Sequence, residues 1–398
     1  MSSNWENDLI IQRLREYLKI PSVHPDIDYE ECVEFIKKQA AELELPVKVY
    51  EFVAKKPIVV VTWKGLEPEL PTIMLNSHMD VVPVNEEQWT YPPFEAHVTE
   101  DGWLYARGTQ DMKAQGMAYL EAIRNLKKAG TRLKRTVHVT FVPDEEIGGE
   151  SGMGAFVKTK EFKKLNVGFE LDEGGPSPKP NAVHAFNGER TLRHLKITCK
   201  GTPGHGALSS QMGTAGDKIA NVLNKFVKFR ETEGRKFKSI YMLGDLITMN
   251  LTKLEGGTQI NVMPDQLSAY FDIRIAPSVD HVQFEKMIES WCTEVGDGVT
   301  CEYLQKNPPV PNTNTDNLTF YNALVKATND MGIELQCIVC PGTTDARFVR
   351  SQNIPAISLT PFTDTPTLLH ANDERIHVDV YKRGIELTEK ILIAVANV

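Results

Sequence analysis

Two short runs early in the chain, Ile58-Val59-Val60-Val61 and Thr72-Ile73-Met74-Leu75, are apolar without polar alternation and follow Pro57 and Pro71. Runs of that length and character are strands buried on both faces. A strand with two buried faces needs covering layers on each side, and the sequence supplies them. Tyr119, Leu120, Ile123 and Leu126 recur at helical spacing until Ala129-Gly130 ends the helix. Val137, Val139 and Phe141 then alternate as a strand, and Val167 to Leu171 reads as another. This alternation predicts an α/β fold, a mixed sheet flanked by helices.

The rhythm changes near residue 187. A strand from Leu192 to Cys199 is followed by Ile219, Val222, Leu223, Phe226 and Val227 at helical spacing. Two strands (Leu246 to Leu254, Leu267 to Ile275), a helix around Val282 to Trp291 and a strand from Val299 to Leu304 follow. The order β-α-β-β-α-β is that of a ferredoxin-like sandwich. Asn307-Pro308-Pro309-Val310-Pro311 closes it like a linker, after which helix and strand signals resume. The 398 residues are therefore expected to form a discontinuous α/β domain, 1–186 and 308–398, interrupted by an inserted α+β domain, 187–307.

Chemistry concentrates where the buried strands end, the edge at which open α/β sheets bind ligands. His78 and Asp80 follow the strand ending at Leu75, and Asp111 precedes a helix start. Glu145 and Glu146 follow Phe141-Val142-Pro143-Asp144, Glu173 follows Leu171-Asp172, and His370 lies far downstream. Imidazole and carboxylate are zinc ligands, and two ions about 3.5–4 Å apart need a shared carboxylate. Adjacent Glu145 and Glu146 leave a strand end in different directions, so one can ligate while the other stands off as a base. Taken singly, an acid at a strand end is commonly a helix cap and a lone histidine commonly structural. On spacing alone, a metal site and a set of caps both remain open.

Other chemistries are excluded or weak. Neither His-Glu-x-x-His nor Gly-x-Ser-x-Gly occurs, which removes the common single-zinc protease and serine-hydrolase signatures. Gly148-Gly149-Glu150-Ser151-Gly152 lacks the lysine and spacing of a phosphate loop, and Cys337-x-x-Cys340 has no second pair. With 44 basic against 53 acidic residues and no block of like charge, neither nucleic acid nor an anionic membrane is an expected partner. The polar start Met1 to Asp8 lacks the basic and apolar regions of a signal peptide, and no stretch approaches a membrane span. Six scattered cysteines read as reduced thiols, so the expected compartment is the cytoplasm.

Seven segments together resemble the aminoacylase and carboxypeptidase family of co-catalytic zinc hydrolases: LNSHMDVVP (75–83), YARGTQDMK (105–113), FVPDEEIGG (141–149), LDEG (171–174), PGH (203–205), NLTKLEGG (250–257) and LHANDER (369–375). They span nearly the whole chain in the expected order. The resemblance implies a zinc-peptidase-like catalytic domain with two Zn²⁺ per subunit, and a dimerisation role for the insertion, hence a homodimer. His78 and Glu173 would bind one zinc, Glu146 and His370 the other, with Asp111 bridging. Asp80 would hold His78, and Glu145 would be the general base. His205 would reach the partner subunit's site and support the carbonyl under attack. Arg347 would grip the substrate's free carboxylate, and Asn261 and Arg274 would contact substrate or support the site. The implied activity is hydrolysis of N-acyl-L-amino acids, with a dipeptidase or carboxypeptidase of the same family as the alternative. One departure is Gly-Ala-Leu after His205, followed by a Gly-rich loop from Ser209 to Gly216.

Overall fold

The computed structural model describes residues 5–208 and 213–398; the extreme N-terminus and Ser209 to Met212, which begin the loop noted above, lie outside the described residues. The chain divides into two compact units, one running to Asn187 and including Thr313–Cys337 and Thr344–Val398, the other Gly188–Asn312 with Ile338–Thr343.

In the first unit, eight strands among the described residues form one mixed sheet. Their order is Val47–Val53, Lys56–Trp63, Val137–Val142, Thr72–His78, Val167–Asp172, Ala356–Leu359, Ala182–Glu189, Glu334–Cys340. Thr72–His78 runs parallel to both Val137–Val142 and Val167–Asp172, which is in turn parallel to Ala356–Leu359. Every residue of Thr72–His78 and of Val137–Val142 is buried, as their apolar runs require. The two faces divide the side chains cleanly. Val59, Val61, Ile73 and Leu75 pack with apolar residues of helices Leu9–Leu18, Glu30–Glu42, Lys113–Lys128 and Val378–Ala396. Ile58, Val60 and Met74 pack instead with Met153, Phe156, Phe162 and Val349.

The first of the parallel strands in chain order, Thr72–His78, sits between the second and the third. The chain therefore leaves Thr72–His78 and Val167–Asp172 in opposite directions, which opens a crevice at their carboxyl ends. His78 and Glu173 lie at those two ends.

The second unit is a four-stranded antiparallel sheet in the order Thr248–Gly256, Gln266–Ile275, Thr191–Lys200, Val299–Lys306. Helices Ala215–Gly234 and His281–Val295 bury Phe226, Phe284 and Ile288 against Leu195, Ile197, Phe271 and Ile273. The arrangement is ferredoxin-like. This unit keeps the Pro-rich segment as far as Asn312, beyond the boundary expected at 307. The Asn307 N–H donates to the Leu192 carbonyl at 3.3 Å, and Gly188 packs so tightly on Asn312 that a Cβ there would lie 1.8 Å from Oδ1. Immediately outside, the Thr313 N–H donates to the Asn187 carbonyl at 2.6 Å. No helix among the described residues is long and apolar enough to cross a membrane.

Candidate metal centre

Asp111 lies between two histidines. Its Oδ1 is 2.9 Å from His78 Nε2 and its Oδ2 is 3.1 Å from His370 Nε2. Glu173 Oε2 stands 3.4 Å from His78 Nε2, and Glu146 Oε2 3.0 Å from His370 Nε2. Ligand atoms of His78, Asp111 and Glu146 lie within 4.8 Å of one another, as do those of His78, Glu145 and Glu173. Residues 33 to 292 positions away from His78 thus converge on one edge of the sheet.

Three structural devices aim these groups. His78 ends a buried strand, and its Nδ1 is 2.9 Å from the Asp80 backbone carbonyl. A carbonyl only accepts, so Nδ1 carries the proton and Nε2 turns a lone pair toward Asp111. The second device is the short 3-10 turn Glu145–Ile147, entered through Asp144 with φ 63°. Tyr29 Oη donates to Asp144 Oδ1 at 2.7 Å and Lys56 Nζ lies 2.7 Å from Oδ2, so the preceding residue is pinned. The turn leaves through Gly149, also left-handed at φ 66°, where a Cβ would lie 2.3 Å from Asp345 Oδ1. Third, the Asp80 carboxylate accepts the N–H groups of Glu145 at 3.2 Å and Glu146 at 3.0 Å.

That last contact adds to the part expected of Asp80. Its carboxylate stands 3.6 Å from His78 Nδ1 and accepts His24 Nε2 and the Glu145–Glu146 N–H groups more closely, while the carbonyl of Asp80, at 2.9 Å, is the nearer acceptor for His78. His24, Tyr29 and Lys56 are site-supporting residues that no local pattern marks. Glu374, inside the string LHANDER, carries a signal in its position but its task is visible only in three dimensions.

The electrostatics suit bound cations. Burial, reinforced by Glu173, pushes the Glu145 carboxyl well above its ordinary range; burial and Asp111 do the same to Glu173, and more mildly to Glu146. Burial also opposes the charge on Asp111, yet the adjoining His370 and His78 imidazoles hold it well below the carboxylate range. Asp111 and then Glu146 push the His370 imidazole up to about 10. Glu146 Oε1 is buried without a hydrogen-bond partner. Imidazole lone pairs aimed at carboxylates, an orphaned carboxylate oxygen and several confined acids fit a pair of divalent cations, which would satisfy all three.

The remaining candidates lie elsewhere. Arg347 is buried; its Nη1 and Nη2 donate to the carbonyls of Thr344 at 2.9 Å and Gly148 at 2.6 Å, and the guanidinium lies over the Phe348 ring. It thereby braces the far end of the Glu145 turn. In the second unit, exposed His205 pairs with Val262 in a two-stranded ribbon, and the Asn261 carbonyl accepts the Gly206 N–H at 2.9 Å. Arg274 donates from Nε and Nη2 to the Asp272 carboxylate at 3.0 and 3.1 Å.

Comparison with known proteins places this arrangement. The chain is 43% identical to aminoacylase-1 of Sus scrofa over 386 residues, 96% of this chain and 94% of that one. It is 40% identical to aminoacylase-1 of Dictyostelium discoideum across the whole of both chains. Its fold matches that of an M20 family metallo-carboxypeptidase from Sulfolobus solfataricus with a TM-score of 0.77, covering 98% of this chain and 99% of that one at 21% identity. Residues 74–394 match peptidase family M20/M25/M40, a span that contains every proposed ligand. With the family match over residues 74–394 and the likeness to aminoacylase-1 over nearly its whole length, the chain is a member of that family.

Proposed function

We propose that this protein hydrolyses N-acyl-L-amino acids to a carboxylic acid and a free L-amino acid, using two zinc ions per subunit. The carrying observation is Asp111, whose two carboxylate oxygens face two different histidines. The similarity to aminoacylase-1 over nearly the full length supports the substrate class. His78, Asp111 and Glu173 would hold one cation, and Asp111, Glu146 and His370 the other. When bound, such a pair supplies Lewis acidity and lowers the pKa of water towards neutrality.

The chain's own groups do the rest. Glu145 accepts the proton of the attacking water and then delivers it to the leaving amide nitrogen, so one carboxylate is base and then acid. Its burial favours holding that proton between the two steps. His205, carried by the second unit of a partner subunit, donates to the oxygen of the carbonyl under attack. Arg347 holds the substrate's α-carboxylate, and Asn261 and Arg274 contact substrate or support the site. A homodimer follows from the part given to His205. The cytoplasm is the proposed compartment, consistent with six cysteines that form no disulfide.

Hydrolysis of N-acetyl-methionine compared with a panel of dipeptides, by protein of measured zinc content, tests the reading. Preferential cleavage of the acylated amino acid supports it. Cleavage of dipeptides alone would instead select a dipeptidase or carboxypeptidase of the same family.

A further inference from the structure

One carboxylate beside the centre is fully buried and takes part in none of the steps above. Glu374 has no solvent exposure, yet its two oxygens gather the backbone of the Arg107–Asp111 loop. Oε1 accepts N–H groups from Gln110 at 2.6 Å, Gly108 at 3.1 Å and Asp111 at 3.2 Å. Oε2 accepts Arg107 Nη1 at 2.6 Å and is 3.2 Å from the Gly108 nitrogen. The same Arg107 guanidinium donates to the carbonyls of Ala371 at 3.2 Å and His370 at 3.5 Å. One side chain therefore ties together the loop bearing Asp111 and the loop bearing His370, the two residues whose mutual placement makes a shared site.

We propose that Glu374 is the positioning residue for the paired cations: it fixes the orientation in which Asp111 serves both, and through Arg107 it fixes the loop that carries His370. The inference rests on reading the centre as a two-cation site. The physical argument is the match of donors to acceptors. An ionised carboxylate offers acceptors on both oxygens, and every group facing Glu374 here is a donor. A glutamine at this position keeps the shape but replaces one acceptor by a donating amide. Either the backbone N–H groups of Gln110 and Asp111 or the Arg107 guanidinium would then face a donor, so one of the two loops is released.

The test is a zinc titration of the metal-free full-length protein against a chromophoric chelator, alongside thermal unfolding with and without zinc. The wild type is expected to take up two equivalents and to gain melting temperature with zinc. Glu374→Gln is expected to bind at least one equivalent roughly 10- to 100-fold more weakly, with a smaller zinc-induced rise in melting temperature. A merely structural part would lower the melting temperature of the metal-free protein and leave both zinc affinities unchanged, and that result overturns the proposal. Should Glu374→Gln not fold, Glu374→Asp keeps the charge beside Arg107 but is one methylene too short to span both sets of donors. It is expected to show the same selective weakening, and native affinities in that variant count equally against the proposal. Asp111→Asn runs in parallel. If it also retains two native affinities, the two-cation reading fails and takes this inference with it; if only Asp111→Asn loses zinc, the inference about Glu374 alone fails.

Discussion

Asp80 accepts a hydrogen bond from His24 Nε2 at 2.8 Å, with both side chains buried. His24 comes from a segment outside the family match and touches no proposed ligand. Its effect passes through Asp80 to the N–H groups of Glu145 and Glu146. His24→Ala leaves the Asp80 charge buried with one partner fewer, so a stability loss of about 3 kcal/mol is expected, measured by urea unfolding. Turnover at saturating zinc should fall about tenfold. Unchanged turnover would detach His24 from the positioning of the Glu145 turn.

Glu145 is assigned the proton transfers and no metal bond. Glu145→Gln should therefore retain the zinc content of the wild type while turnover drops at least about 100-fold. The readout is steady-state kinetics paired with elemental analysis of the same preparation. Near-normal hydrolysis by this variant rules Glu145 out as the base.

His205 and Glu145 belong, in this scheme, to different subunits of each working site. Chains carrying His205→Ala and chains carrying Glu145→Gln should each be inactive alone. When the two are mixed and allowed to exchange subunits, one of the two sites per heterodimer regains both groups. Recovery of part of the wild-type rate is the expected outcome, and a mixture as inactive as its components would argue for a site completed within one chain.

A pH response independent of the metal centre is expected from His138. Burial in the strand Val137–Val142 depresses its imidazole to about 4, and its Nδ1 is 3.0 Å from Thr62 Oγ1. The folded value lies below the ordinary value of about 6.5, so the unfolded chain takes up a proton first as the pH falls. The stability associated with neutral His138 is thus fully present above about 6.5 and is lost as the pH falls through about 4. The loss amounts to about 3 kcal/mol. His138→Leu should flatten that part of the stability–pH curve, as followed by denaturant midpoints; an acid limb as steep as the wild type's would count against the assignment.

The centre's main groups were legible because buried strands announce themselves as apolar runs, and His78, Glu145, Glu146 and Glu173 sit where those runs stop. His370 and Asp111 sit outside any such run and were assigned from the motifs around them. What the sequence did not disclose is the support. His24 reaches Asp80 because Val23 and Val81 form an isolated parallel bridge, with the Val81 N–H donating to the Ser22 carbonyl at 2.8 Å. A pairing between single residues so far apart leaves no periodicity to read. Tyr29 and Lys56 likewise meet Asp144 only after the sheet has formed. Spacing tells which residues are neighbours along a strand, but not which of a residue's own acceptors lies nearest: the Asp80 carbonyl is closer to His78 Nδ1 than its carboxylate is. The end of the insertion at Asn312 leaves no local mark, because Asn307 to Pro311 reads as a linker and the contact of Gly188 with Asn312 joins residues far apart in sequence.

The hydrogen bond between Thr313 and Asn187 has an evolutionary corollary. The mouth of the intervening segment is already stitched shut on the side of the eight-stranded sheet, so the length of chain looped out there adds little conformational penalty. Parts of that segment away from His205, Asn261 and Arg274 could change in length and still leave the strand ends that gather His78, Asp111, Glu146, Glu173 and His370 undisturbed. The edge that gathers the cation-binding groups and the remainder of the insertion are thus free to diverge on separate schedules.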